Sequence, residues 1–400
     1  MLHSVCVPCR RCSIARVSAA ALLLAAGSAV AQCPANWFLS APGQPTNPND
    51  PPLRQNHGTA FDAANGVLVL FGGFLSGTGF RGDTWTWDNE SWTLRANTGP
   101  TPRGNFGMAY DSARSRVVLF GGAGVSGAVF GDTWEWDGGS WTQMTPTASP
   151  PGRFNSAMAF DSVRNVIVMT GGFSTLRHSD TWEYDGTTWT EMTGTTFGAR
   201  SSHGMAFDKS RNRMVIFGGF NGARLADTRE LVLPGGWQSV AVAGPSGRQY
   251  LGMDYDSHQD LVVLFGGQIG PAAADREQDT WVYNGTAWTR VGTTGPSKRD
   301  QHSMSYDSLN RKMIVFGGFQ GTGFGGTAGD TWSTACPAGC YANCDGSTIP
   351  PVLNVNDFTC FLNEFAAGNS YANCDGSTTP PVLNVNDFTC FLNAFAAGCT

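Results

Sequence analysis

The middle of this 400-residue chain contains no cysteine. All eleven cysteines lie at or before Cys33 or at or after Cys336, which excludes a disulfide or a thiolate metal site from residues 34–335. Charged residues are few (14%) and the formal net charge is −6. Because no basic stripe is present, nucleic acid is not an expected partner. Beyond the N-terminus, no apolar run approaches the ~18 residues of a membrane span, so we expect none.

The first residues have the pattern of a secretory signal peptide. A basic start is followed by an Ala/Leu-rich apolar stretch over 17–30, and Ala29-Val30-Ala31 has the A-x-A form of a cleavage site. We therefore predict a signal peptide over residues 1–31 and an exported mature chain. Cys33 raises a lipoprotein alternative, but Gln32 before it is a poor residue for lipidation.

One sequence pattern recurs six times along the chain. An arginine is followed by an aromatic-Asp pair, an apolar run ending in Gly-Gly, an Asp-Thr-Trp and a second tryptophan. A fixed period of 47 to 51 residues indicates a repeat architecture, and six units of about four short strands indicate a propeller. The Gly-Gly pairs begin at Gly72, Gly121, Gly171, Gly218, Gly266 and Gly317.

The third unit shows how one repeat is expected to fold. Residues 153–160 predict a first strand, and Asp161 begins a turn by capping its own backbone. The β-branched run 166–169 predicts a strand buried on both faces, which Gly171-Gly172 ends. Two further strands, around Trp182 and Trp189, complete a four-stranded blade.

These features resemble the kelch repeat over about residues 35–333. The resemblance implies an all-β fold, a six-bladed kelch-type β-propeller. The fourth unit departs from the pattern, because Asp227-Thr228-Arg229 stands where the others have Asp-Thr-Trp.

The sixth unit stops early, since no second tryptophan follows Trp332. Asn36-Trp37-Phe38-Leu39 has the missing pattern at the other end of the chain. We predict that this N-terminal strand completes the last blade. Cys33 and Cys336 both fall at the turn that this blade lacks, so we predict a disulfide between them that closes the ring. The propeller then spans residues 32–336.

Every unit opens with an arginine, and repeat symmetry places the six near one mouth of the channel. Converging guanidinium groups would suit a carboxylate-bearing peptide or an acidic sugar. In the alternative interpretation each arginine belongs to the packing of its own blade, stacked on tryptophan or tied to the aspartate of Asp-Thr-Trp. The candidate ligand-binding residues are Arg54, Arg103, Arg153, Arg200, Arg248 and Arg299.

His57, His203 and His302 occupy the third position after that arginine. Three histidines at equivalent positions are a possible metal site. The other units carry Phe, Ser or Leu at this position, so a packing role is favoured over a zinc site. No arrangement of nucleophile, base and orienting group is visible in the repeats, and we predict no catalytic residues.

Residues 341–368 and 371–398 are near-copies of each other, each a polar loop followed by a short predicted helix. In the first copy Phe358, Phe361, Leu362 and Phe365 fall on one apolar face at helical spacing. The paired loop-helix arrangement resembles a dockerin domain, and more closely the cysteine-containing dockerin-like tails of exported bacterial proteins. We assign this tail to residues 337–400.

The dockerin resemblance implies two calcium sites. The alternative is a pair of stapled turns that hold no metal. The implied ligands are Asn343, Asp345, Ser347, Asn354 and Asp357 for one ion, and Asn373, Asp375, Ser377, Asn384 and Asp387 for the other.

In the tail, two cysteine pairs bracket the two loop-helix copies, and a third would tie the ends. We expect these three disulfides, although sequence alone does not fix the connectivity. The pairs are Cys344–Cys360, Cys374–Cys390 and Cys340–Cys399.

Together these features predict an exported, non-catalytic binding protein that is secreted, periplasmic or attached to the cell surface. The propeller would recognise protein or glycan. The calcium-loaded tail would dock the protein to a cohesin-like or other envelope partner. Two alternatives are a dockerin-borne enzyme acting on polysaccharide and a purely structural envelope protein.

Overall fold

A computed structural model of the chain describes residues 37–44, 47–195, 197–272, 274–321 and 326–334, together with Thr359, residues 361–363 and Phe365. The predicted signal peptide, all eight cysteines of the mature chain and the ten predicted calcium ligands lie outside the described residues. The five described tail residues are helical, as predicted there, and the rings of Phe361 and Phe365 lie 6.0 Å apart.

The described chain forms 26 strands, grouped into six antiparallel four-stranded sheets and one two-stranded hairpin. In chain order the strands are β1 (Trp37–Ala41), β2 (Gly58–Asp62), β3 (Val67–Phe71), β4 (Phe74–Leu75), β5 (Gly79–Phe80), β6 (Thr84–Trp87), β7 (Trp92–Ala96), β8 (Gly107–Asp111), β9 (Arg116–Ala123), β10 (Val129–Trp136), β11 (Trp141–Met144), β12 (Ala157–Asp161), β13 (Val166–Thr170), β14 (Thr181–Tyr184), β15 (Trp189–Glu191), β16 (Gly204–Asp208), β17 (Arg213–Phe217), β18 (Thr228–Val232), β19 (Gly236–Val240), β20 (Gly252–Asp256), β21 (Leu261–Phe265), β22 (Thr280–Tyr283), β23 (Trp288–Gly292), β24 (Ser303–Asp307), β25 (Lys312–Phe319) and β26 (Thr327–Thr334).

Each sheet is one blade, numbered here in chain order. Blade 1 is β2-β3-β6-β7, and blades 2 to 5 are β8 to β11, β12 to β15, β16 to β19 and β20 to β23. Blade 6 is β24-β25-β26-β1. The first strands of neighbouring blades contact each other in turn around the ring, including β2 with β24, so the propeller closes. The six-bladed all-β prediction is confirmed.

The core runs through the second strand of each blade, where apolar side chains are buried on both faces. Val69, Leu70 and Phe71 of β3, for example, have no exposed surface. The turn before this strand is fixed by an aspartate, as predicted. In blade 3 one oxygen of Asp161 accepts the backbone N–H groups of Val163 and Arg164, both at 3.0 Å.

The predicted closure by the N-terminal strand is confirmed. Strand β1 pairs with β26 in antiparallel register, Trp37 opposite Thr334 and Leu39 opposite Trp332. Trp37 also takes the place of the second tryptophan, because its Nε1 donates to Thr280 Oγ1 of blade 5 at 2.9 Å. The same bond joins every neighbouring pair of blades, at 2.8–3.0 Å, from Trp92, Trp141, Trp189, Trp237 and Trp288 to Thr331, Thr84, Thr133, Thr181 and Thr228 respectively.

The Gly-Gly pair makes a second link between blades. Both glycines have positive φ, 63° at Gly72 and 102° at Gly73. The N–H of Gly73 donates to the carbonyl of Arg103 in the next blade at 2.9 Å, and a Cβ on Gly72 would lie 2.6 Å from that oxygen. The corresponding bonds in the other blades measure 2.8–2.9 Å. Only glycine combines this backbone conformation with so close an approach.

Candidate functional site

The six repeat arginines lie inside the blades. Arg54 has no exposed surface and forms a two-bond ion pair with Asp83 of its own blade, at 2.9 and 2.7 Å. It also donates to the carbonyl of Gly72 at 2.8 Å, so most of its donors are used within the blade. The other pairs are Arg103–Asp132, Arg153–Asp180, Arg200–Asp227, Arg248–Asp279 and Arg299–Asp330.

This geometry corrects the expectation of a guanidinium ring at the mouth. A buried arginine already paired with a carboxylate has neither surface nor charge to offer a ligand in the channel. The alternative interpretation, arginine tied to the aspartate of its own blade, describes the observed contacts.

The three histidines also lie between blades. The ring of His57 packs edge-on against Phe316 at 5.2 Å, and His302 packs against Phe265 at 5.4 Å. Burial, with a neighbouring arginine in each case, lowers the pKa of His203 and of His302 to about 3, so both rings are neutral. Among the described residues no group of three His, Cys, Asp or Glu side chains is placed to hold a metal ion.

The mouth at the start of the first strands is bounded by a ring of backbone hydrogen bonds. One residue per blade has φ between 55° and 60°, and its N–H donates to the carbonyl of the equivalent residue in the preceding blade at 2.7–3.1 Å. We call this the mouth ring. Its side chains line a cavity of about 150 Å³. The six members are Asn56, Asn105, Asn155, Ser202, Tyr250 and Gln301.

A second set of arginines, on blades 3, 4 and 5, stands on the same face as the mouth ring. Arg177, Arg224 and Arg276 lie on the loops between the second and third strands, and we call them the arginine arc. Arg177 lies over the rings of Phe173 and Phe220, at 5.5 and 4.8 Å. Arg276 lies over a phenylalanine of blade 6 at 4.7 Å. Cation–π stacking of this kind holds a guanidinium in place without neutralising it.

The polar contacts of the arginine arc differ along its length. Arg276 forms an ion pair with Asp300 at 3.2 Å, and Arg224 donates to Gln268 at 3.2 Å. The Arg177 side chain has no hydrogen bond or ion pair with any residue that the structure describes, and Nε of both Arg177 and Arg224 is buried without an acceptor. Nε itself has no surface that a ligand could reach, so an external acceptor would bind the terminal nitrogen atoms of these partly exposed side chains.

The acidic residues near this face lie around Arg276, since Asp275 and Glu277 flank it in the chain and Asp300 pairs with it. Asp300 is buried. Burial raises its pKa to about 6, and the attraction of Arg276 only partly offsets that rise. The positive character of the mouth is therefore greatest at Arg177 and Arg224, away from Asp300.

The sequence analysis did not single out the arginine arc. Its signal was present, because each of these arginines stands three residues before the aspartate of the Asp-Thr pair, at Asp180, Asp227 and Asp279. The equivalent residues in the other blades are Phe80, Val129 and Thr327, so the position varies while the buried arginines are invariant in the repeat.

The fold and this mouth define a class, the six-bladed β-propeller with a polar, partly cationic entrance. Residues 37–192 match the family model of the KLHDC2/KLHL20/DRC7 Kelch-repeats domain, which confirms the kelch resemblance over that range. The solved structure titled "Structure of YjhT" shares the fold, with a TM-score of 0.57 and 16% identity, covering 71% of this chain and 95% of that one. No curated protein matches the sequence.

Within the described part of the chain, no helix has the length and apolar character needed to cross a membrane.

Proposed function

We propose that the protein is a non-catalytic binding protein whose propeller takes a carboxylate-bearing segment of a partner protein at the arginine arc. The observation that carries this proposal is the pair Arg177 and Arg224, partly exposed side chains that both lie over the ring of Phe220 and form no ion pair with a described carboxylate. Kelch propellers commonly bind proteins, and the match to a kelch-repeat family supports the same role.

The surrounding surface suits an extended acidic peptide. A guanidinium binds a carboxylate with two parallel hydrogen bonds, and the phenylalanine rings fix the plane in which those bonds are offered. The amide and hydroxyl side chains of the mouth ring then provide donors and acceptors for the peptide backbone. An acidic glycan would also carry carboxylates, but it lacks the regularly spaced backbone amides of a peptide.

A fluorescent Glu-rich decapeptide tests this proposal, with an oligogalacturonide of equal charge as the second probe. Removing both Arg177 and Arg224 by substitution with Met should weaken peptide binding by roughly tenfold or more, since each change removes a charge-assisted contact. The matched control is Arg95→Met together with Arg290→Met, which removes two exposed arginines from the outer strands β7 and β23. Equal peptide affinity in the double variant and the control would contradict the proposal. Preference for the oligogalacturonide would reassign the site to glycan.

For the tail we propose calcium-dependent docking to a cohesin-like or other envelope partner of an exported protein. The support is the dockerin-like pattern of the two repeated loops, whose ten ligands are Asn343, Asp345, Ser347, Asn354, Asp357, Asn373, Asp375, Ser377, Asn384 and Asp387. Carboxylate and amide oxygens at alternating positions suit calcium.

Calorimetry on the mature chain, residues 32–400, should show calcium binding that is absent when the chain ends at residue 336. Asp345→Asn together with Asp375→Asn should remove most of it. Capture of an envelope protein with calcium but not with a chelator would support docking. No calcium uptake by the full mature chain would leave the tail as a pair of stapled turns.

A further inference from the structure

The opposite end of the channel holds a larger cavity, of about 440 Å³, that the proposed function does not use. It is lined by the first strands of the blades and the turns that follow them. The third residue of each first strand lines this cavity in five of the blades, and β16 supplies Ala206 at the equivalent position, which is buried. Five blades carry a small side chain there and blade 5 carries an acid. The six residues are Ala60, Ala109, Ala159, Ala206, Asp254 and Ser305.

Asp254 is enclosed by protein and keeps one surface toward the cavity. Oδ1 accepts the N–H of Tyr255 and Oδ2 the N–H of Tyr306 on the neighbouring blade, both at 2.7 Å. No cationic side chain of the described residues forms an ion pair with it. Each oxygen still has a free lone pair, so the carboxylate can accept from a ligand.

The electrostatic surroundings of Asp254 are simple. Burial raises its pKa to about 6, and Asp256 two residues along the same strand adds to the rise. From blade 6, strand β24 faces it with the backbone N–H of Tyr306. From blade 4, the turn after β16 contributes Lys209, which is exposed at the rim of the cavity. The carboxylate is therefore ionised near neutral pH and not neutralised by the protein.

Among the first strands, the polar lining residues lie on blades 5, 6 and 1, and methionine side chains line the cavity from blades 2 to 6. Ser305 of blade 6 and Thr59 of blade 1 share a hydrogen bond of 2.8 Å and continue the polar side from Asp254. Blades 2 to 4 face them with methionine side chains and, in blades 2 and 3, with alanine. Such a lining fits a ligand that has a cationic head and a short apolar body.

We propose that this cavity binds a small organic ammonium, a primary amine on a short alkyl chain. The head would donate to Asp254 and the adjacent hydroxyl groups, and the chain would lie against the methionines of blades 2 to 4. A divalent metal fits less well, because calcium requires six to eight oxygen ligands and Asp254 is the one carboxylate among the described residues that line the cavity.

The site can be tested with n-pentylammonium as the probe. The protein would be labelled with ¹³C in its methionine methyl groups, because Met108, Met158, Met205, Met253 and Met304 all line the cavity. Titration at pH 7.5 should shift these signals. The uncharged probe 1-pentanol should bind more weakly by roughly tenfold or more, because it lacks the charge-assisted contact.

Asp254→Ala is the decisive variant, since four other blades carry alanine at this position and fold around it. It should lose binding, while Asp137→Asn, which removes an exposed acid that does not line the cavity, should keep it. Affinity should also fall at pH 5, where Asp254 is largely protonated and the amine stays charged. Equal affinity in Asp254→Ala and wild type, or for amine and alcohol, would overturn the proposal. Loss of both Arg177 and Arg224 should leave this binding unchanged.

Discussion

Asp227 accepts hydrogen bonds from two arginines, where the equivalent aspartate of every other blade accepts from one arginine and one tryptophan. Arg229 donates to it through Nε at 2.8 Å, and Trp182 makes the corresponding bond to Asp180 at 2.8 Å. Burial opposes ionisation of Asp227, but the bonds from Arg200 and Arg229 outweigh it and lower the pKa to about 2. The irregular fourth repeat therefore keeps a hydrogen-bond donor to this aspartate, although arginine replaces tryptophan.

Because the two donors are equivalent, Arg229→Trp should largely preserve the stability of the protein, whereas Arg229→Met should lower it. Methionine removes a bond to a charged acceptor, so the free energy of unfolding should fall by about 1–2 kcal/mol. Tryptophan restores the donor found in the other five blades and should recover most of that loss. Denaturant titration of both variants measures the difference. Identical stability of the methionine variant and wild type would show that the bond contributes nothing.

His302 predicts a specific dependence of stability on pH. Its pKa is about 3 in the folded protein and about 6.5 when unfolded, so the unfolded chain binds the proton first. Stability should therefore fall as the pH drops below about 6.5, by about 1.4 kcal/mol for this group between pH 7.5 and 5.5.

His302→Phe tests that dependence, because blade 2 carries Phe106 at the same position. The difference in unfolding free energy between pH 7.5 and 5.5 should be smaller in the variant than in wild type. The same substitution at exposed His258 serves as the control. An unchanged pH dependence in His302→Phe would contradict a buried neutral imidazole.

At the scale of the strand and its ends, the Gly-Gly pair has both a positive φ and a close contact with the next blade. Comparison with a glycine that has only the positive φ separates the two effects. Gly72 and Gly77 both have positive φ, 63° and 85°, but a Cβ on Gly77 would meet nothing within 4 Å. Gly77→Ala should cost only the backbone strain, about 1 kcal/mol. Gly72→Ala should cost at least ~2 kcal/mol more, because its Cβ would press on the carbonyl of Arg103. Equal losses in denaturant titration would mean that the contact with the next blade is unimportant.

Strand β1 predicts a strong asymmetry between two neighbouring aromatic residues. Trp37 is buried and bonded to Thr280, while Phe38 is 54% exposed. Trp37→Ala should lower the free energy of unfolding by about 3–5 kcal/mol. Phe38→Ala should change it by about 0.5 kcal/mol. Similar effects of the two substitutions, measured by thermal unfolding, would argue against closure of the ring through this strand.

The repeat made the elements predictable, and its exceptions were harder to interpret. Apolar runs, Asp turns and glycine pairs recur six times, so the blades and the closing role of Trp37 follow from alignment of the units. The invariant arginines were open to two interpretations, because a recurring charge is compatible with a buried pair or with a binding ring. Arg177 and Asp254 stand at variable positions, where the sequence gives the residue type but not whether it reaches the channel.

At the scale of the whole propeller, each blade contacts the next through the same bonds, and the ring has no free end. Global unfolding should therefore be a single cooperative transition. Native-state hydrogen exchange should give the same opening free energy for the second strands β3, β9, β13, β17, β21 and β25. Exchange from one blade at a free energy lower by more than about 1 kcal/mol would show that it opens alone.

The backbone of the mouth ring fixes the shape of the entrance, whereas its side chains determine the chemistry there. Because the circle is held by main-chain N–H and carbonyl groups, the side chain at each of the six positions can change without loosening it, provided that the residue accepts the left-handed conformation. Asparagine, serine, tyrosine and glutamine already share the circle. The backbone ring therefore fixes the shape of the entrance, while the side chains at its six positions can change independently. Binding of a new partner can evolve by substitution at one position at a time, without loss of the ring.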